Sequence, residues 1–249
     1  MSLEVILKAM AVALFVGVVG TGTGGAIVAA LGNPSRRVLS AFLGFSGGIM
    51  VSLVAFDLMP EAIELGGTAL PLLWLVIGAA ATAGVDLVFP HVHHMSADCE
   101  SQRFVRTSII VAVGIAMHNL PEGMAVGAGI ASAAPIGVTV ALLMFLHNIP
   151  EGLAVAGPLA ACGKKGGYII KFTALAGVPS VFGAAIGAYM GQLSESVLAG
   201  SLAFAGGAML FIAFDELIPA AQELREGHSG TFGAVIGVLT SIIMSQLLH

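Results

Sequence analysis

Eight times this chain runs for about twenty residues with almost no charge, a length that fits a helix crossing the hydrocarbon of a bilayer. The runs cover approximately residues 5–31, 38–60, 69–89, 106–131, 135–160, 168–191, 197–219 and 231–248. A soluble domain has no interior large enough for so much apolar surface. The mean hydropathy of +1.01 agrees, as do 57% hydrophobic and only 9% charged residues. The fold class expected is all-α, a polytopic membrane protein with eight transmembrane helices. The first run does not read as a cleaved leader, because it is long, follows Glu4 and ends in the glycine-rich "GTGTGG". No loop is long enough for a separate soluble unit, so residues 1–249 are read as one transmembrane domain.

Basic residues set the orientation. Arg36 and Arg37, Arg103 and Arg106, Lys164, Lys165 and Lys171, and Arg225 all fall in alternate loops, on one side. That side is expected to be cytoplasmic, with both termini outside, in the cell's inner membrane. No basic cluster suggests a nucleic-acid partner. Cys99 and Cys162 fall on the cytoplasmic side without a C-x-x-C partner, so they read as reduced, unpaired thiols.

Two repeats organise the sequence. "HNLPEGMAV" from His118 matches "HNIPEGLAV" from His147 at an offset of 29 residues, placing the two copies on consecutive, antiparallel spans. At an offset of 159, spans one to three match spans six to eight. "FSGGIM" (45–50) falls on "FAGGAM" (204–209), Asp57 on Glu216, Pro60 on Pro219 and Glu64 on Glu223. No crossing precedes the first copy and five precede the second, so the copies have opposite orientation, a 3+2+3 inverted repeat. Such repeats are a signature of secondary transporters, whose substrate site lies near the midplane. Small residues four apart, such as Gly44 and Gly48 or Gly183 and Gly187, read as close helix packing.

The paired motif carries the chemistry. His118 and Glu122, and again His147 and Glu151, are four residues apart and share a helix face. Imidazole with carboxylate suits borderline divalent ions such as zinc or ferrous iron. Asn119 and Asn148 add neutral oxygens, and Pro121 and Pro150 are expected to kink their helices at the site. An ionised acid at a helix centre costs roughly 2.5–3.5 kcal/mol on insertion scales. Asn or Ser would glue two helices at lower cost, so a bound dication is the better reason for two glutamates.

Other polar groups are weaker signals. Asp57, Glu61 and Glu64 near one mouth, and Asp215, Glu216 and Glu223 near the other, are candidate cation-attracting vestibules. Ordinary interfacial solvation accounts for them about as well. The loop histidines His91, His93 and His94 are weak metal candidates lacking a fixed scaffold.

These motifs, the eight spans and "AMLFIAFDELIPA" (208–220) together resemble the ZIP family of divalent metal transporters, most closely its prokaryotic GufA-like branch. The resemblance covers nearly the whole chain. It implies a homodimer that carries zinc, iron, manganese or related dications towards the cytoplasm, with zinc as substrate rather than cofactor. It implies a main metal held by His118, Glu122, His147 and Glu151 with Met50 nearby. A second metal would be shared with Asn119 and Asn148. It further implies that helices one, four, five and six move as a unit against two, three, seven and eight. Relatives usually place a glutamate in helix six, where this chain has Ser180 in "AGVPSVFG". One well-occupied metal and a weak or absent second are therefore expected.

The function expected is uptake of divalent transition-metal cations by alternating access, with no catalytic residues and no cofactor. A metal-selective channel could use the same ligands. An intramembrane zinc hydrolase would need an open metal position and a separate general base, and neither H-E-x-x-H nor such a base is present.

Overall fold

A computed structural model describes residues 2–32, 35–88, 119–132, 134–161, 163–224 and 227–248, and all regular structure among them is helical. Eight helices follow in order: α1 (Leu3–Leu31), α2 (Arg36–Gly66), α3 (Ala69–Val88), α4 (119–132), α5 (Ala134–Ala161), α6 (Gly166–Gly191), α7 (Glu195–Glu223) and α8 (Ser229–Leu248). Among the described residues, α1, α2, α3, α5, α6, α7 and α8 are long and apolar enough to cross a membrane. The chain is thus a polytopic, all-helical membrane protein. His118, the loop histidines, both cysteines, Arg103, Arg106 and Arg225 lie outside the described residues.

Helices α2 and α7 outrun their expected ends at residues 60 and 219. Pro60 and Pro219 lack the N–H that would continue an α-helix, and each ring would clash with the carbonyl one turn back. The turn before each proline widens into a π segment, Val54–Leu58 in α2 and Ala213–Leu217 in α7. The N–H of Met59 bonds the Val54 carbonyl and that of Ile218 the Ala213 carbonyl. The wider turn absorbs the proline, and the helix goes on.

These two π segments fall at matching positions under the 159-residue offset, and so do the caps. Ser35 Oγ accepts from the Val38 N–H at 3.3 Å, and Ser194 Oγ from the Val197 N–H at 3.2 Å. Each cap satisfies one donor left over at its helix start. Each opens an 18-residue α-helical stretch, Arg36–Leu53 in one case and Glu195–Ile212 in the other.

Packing follows the same correspondence. A Cβ on Gly48 would strike the Ala234 carbonyl oxygen of α8, and one on Gly207, its counterpart in α7, would strike that of Leu75 in α3. Gly237 meets the Phe45 carbonyl as Gly78 meets that of Phe204. The α2–α8 and α7–α3 crossings are therefore built alike, with backbones so close that only glycine fits. Met50 and Met209, equivalent residues at the centres of α2 and α7, are both fully buried.

A second set of helices surrounds α5. α1 carries a π segment at Leu14–Val19, and α6 is interrupted at Gly177 and Val178 before Pro179. The two irregularities meet, since a Cβ on Gly17 would strike Ser180 and one on Gly177 would strike the Gly17 backbone. α5 itself stays α-helical through Pro150. The irregular turns lie in its neighbours α1 and α6.

Candidate metal centre

Glu122 projects from α4, and His147 and Glu151 from one face of α5, near its middle. Their ligand atoms all lie within 4.8 Å of one another, and all three residues are buried. His147 Nε2 and Glu122 Oε1 are 2.9 Å apart. Ligands at about 2.0–2.2 Å from a zinc stand roughly 3–4 Å from each other, so a small contraction would close the trio on an ion. The second carboxylate oxygen of Glu122 and Oδ1 of Asn148 accept no hydrogen bond among the described residues. Buried acceptors are normally satisfied, and a cation answers such oxygens as no further acceptor could.

Helix packing holds the trio together. Gly123, next to Glu122, abuts the Ser180 carbonyl of α6, while Gly152, next to Glu151, abuts the Thr21 carbonyl of α1. Thr21 and Ser180 are themselves equivalent at the 159 offset. Likewise Gly24 of α1 meets the Ile149 carbonyl, as Gly183 of α6 meets that of Leu120. Each motif helix is thus seated on one broken helix in the same way, which brings the carboxylates to the seam between them.

The asparagines bind the breaks. Asn148 Nδ2 donates to the Val16 carbonyl in the π segment of α1 at 3.2 Å, and Asn119 Nδ2 to Ala176 just before the interruption of α6 at 3.0 Å. Ser46 of α2 donates to the His147 carbonyl at 3.1 Å, and Met50 lies one turn further along α2.

Ser180 is buried in α6. Its hydroxyl faces the carbonyls of Gly177 at 2.6 Å and Ala13 at 3.2 Å. Thr21 does the same with Gly17 at 2.7 Å and Thr173 at 2.9 Å. Both residues stitch α1 to α6 behind the site. Thr21 and Ser46 are absent from the sequence reading above. Applying the 159 offset to Ser180 would have found Thr21, whereas nothing in the sequence marks Ser46.

The acidic residues fall into two groups. Asp57 is buried in the π segment of α2 and its Oδ1 accepts from Ser245 Oγ of α8 at 2.7 Å. Glu61 is half-buried and accepts from the Ser132 hydroxyl at the end of α4. Glu216 is half-buried, while Glu64, Asp215 and Glu223 are exposed. The trio is the one group of three or more potential metal ligands among the described residues.

Fold and site together define a polytopic membrane protein with a buried carboxylate–imidazole cluster at the seam of two helices. Comparison with known proteins agrees with that class. The family model described as ZIP Zinc transporter matches residues 93–245. The protein named zinc transporter ZupT from Salmonella arizonae is 34% identical over 225 residues, covering 86% of this chain and 87% of its own length. The protein of that name from Escherichia fergusonii is 35% identical over the same extent. The chain belongs to the ZIP zinc transporter family. It is a multi-pass protein of the inner membrane.

Proposed function

We propose that the chain takes up divalent transition-metal cations into the cytoplasm, zinc foremost and also ferrous iron, manganese and cadmium, by alternating access around Glu122, His147 and Glu151. The observation that carries the reading is the buried trio, whose ligand atoms lie within 4.8 Å of each other across two helices. His118, the counterpart of His147, would complete the ligand set. Met50 and the oxygens of Asn119 and Asn148 would stand at its edge.

The architecture supporting this is a single domain of eight spans with a 3+2+3 inverted repeat and both termini outside. In its favour are the matched π segments, matched serine caps and matched glycine contacts at the 159 offset. Helices α1, α4, α5 and α6 meet through glycine-to-carbonyl contacts, and so do α2 with α8 and α3 with α7. Between these two sets, side-chain contacts such as Ser46 to His147 and Ser132 to Glu61 are the joins that a sliding motion would have to break. In such a cycle the cation passes Asp57 and Glu64 on entry and Asp215 and Glu216 on release. The working unit is taken as a homodimer.

Ion uptake into proteoliposomes tests the proposal, with zinc, ferrous iron, manganese and cadmium compared side by side. Glu122→Ala and His147→Ala are expected to abolish saturable uptake. Both variants transporting like the parent would sink the assignment. A channel would move ions without saturation and at far higher turnover, so the same assay separates the two mechanisms.

A further inference from the structure

A groove of about 900 Å³ opens between the first turns of α2 and α8. Its walls are apolar, with Val38, Phe42 and Phe45 on one side and Phe232 and Ile236 on the other. Arg37 and His228 stand at its mouth. Arg37 is exposed. From Arg37 to Phe45 the groove follows α2 for about 12 Å at 1.5 Å per residue. That depth approaches the half-thickness of a hydrocarbon core about 30 Å across.

The repeat shows how the two matching crossings differ here. At the 159 offset Gly233 of α8 corresponds to Trp74 of α3, whose indole packs over Gly200 and against Phe204 in the equivalent crossing of α3 and α7. Where the α3–α7 crossing has an indole, the α2–α8 crossing has a glycine, and the space is left open. The charges differ in the same sense. Arg36 and Arg37 correspond to Glu195 and Ser196. A basic pair in the first turn of α2 opposes the helix dipole, which favours acids there, so helix stability does not account for it. An open apolar slot and an exposed guanidinium therefore stand together at one end of one helix pair.

We infer that this groove binds a glycerophospholipid with an anionic headgroup, one acyl chain lying between Phe42, Phe45, Phe232 and Ile236 and the phosphate at Arg37. Basic pockets at the membrane surface between helices bind anionic headgroups. The volume lies within the roughly 300–1,000 Å³ of small-molecule sites. His228 adds a second hydrogen-bond donor to the phosphate. The site lies on α2 and α8, apart from the metal trio, and is independent of the transport mechanism proposed above.

Native mass spectrometry of the full-length protein in detergent tests it, with added phosphatidylglycerol, phosphatidylcholine or inorganic phosphate. One phosphatidylglycerol per chain is expected to be retained in preference to phosphatidylcholine. Arg37→Gln should weaken that retention roughly fivefold, the worth of one basic residue at an anionic lipid surface. Ile236→Trp, which fills the groove from an exposed position, should remove it while bound zinc stays at the parent level. Three results would overturn the assignment. One is equal retention of the two lipids, or of phosphatidylglycerol by parent and Arg37→Gln. The second is displacement of lipid by inorganic phosphate alone. The third is loss of a dimer in Ile236→Trp with lipid retention unchanged, which would make a second copy the occupant.

Discussion

Glu122 and His147 stand on different helices, yet their buried side chains meet at 2.9 Å. A neutral imidazole and ionised carboxylates are the forms that bind a metal. Acidification from about pH 7 to about pH 5 adds protons that compete with the metal and should therefore weaken zinc binding. Equilibrium binding with a competing chelator at each pH measures this, and an affinity that held or rose on acidification would contradict it. Ser180 belongs to the same scale. Its hydroxyl is committed to the Gly177 and Ala13 carbonyls, and it brings no charge to offset a second dication. Metal analysis of the purified protein is expected to find one tightly held ion per chain; two at neutral pH would refute the single-site reading. Imidazole at position 147 favours zinc over manganese. Manganese outcompeting zinc for uptake at equal concentration would count against that preference.

Elements meet through glycine here because the helices carrying Glu122, His147 and Glu151 lie closer to their neighbours than any Cβ permits. Gly123 is seated on the Ser180 carbonyl, whereas Gly157, further along α5, has nothing within 4 Å of its missing side chain. Gly123→Ala should destabilise the protein by about 1–3 kcal/mol, as overpacked sites do. Gly157→Ala should be neutral or stabilising by up to about 1 kcal/mol, the helix-propensity difference. Thermal melts of both variants in detergent decide it, and equal melting temperatures would show that the α4–α6 contact is loose. The spans were legible in the sequence to within a few residues at nearly every end, because hydrophobic length is a local property. The two largest differences, at Pro60 and Pro219, have one cause. A π segment lets a helix outrun its proline, and that depends on backbone hydrogen bonding that no residue type announces.

For the whole molecule, the glycine-sealed contacts separate α1, α4, α5 and α6 from α2, α3, α7 and α8. If the first set slides against the second, a tether between them must stop transport. Glu61→Cys with Ser132→Cys, in a background lacking Cys99 and Cys162, joins α2 to α4 through a short bifunctional thiol reagent. Zinc uptake should fall to background on linking and return when a cleavable linker is reduced. Ser40→Cys with Ser229→Cys joins α2 to α8 within one set, where the two hydroxyls are 3.0 Å apart, and should leave uptake unchanged. Full uptake by the linked α2–α4 protein would exclude relative motion of the two sets.

By itself the sequence determined that this chain spans a membrane, that it is internally repeated, and that histidines and glutamates recur where charge is costly. Those properties sit in composition and spacing, and survive without any knowledge of contacts. Only the tertiary structure decided which polar groups converge. It joined Glu122 to His147 across two helices, turned Ser180 and Thr21 onto backbone carbonyls, set Asp57 against Ser245, and left a groove beside Gly233 that Trp74 fills in the other half. Each of those outcomes depends on how closely two backbones approach and where a helix breaks its hydrogen-bond ladder. Both are settled by packing between segments far apart in the chain.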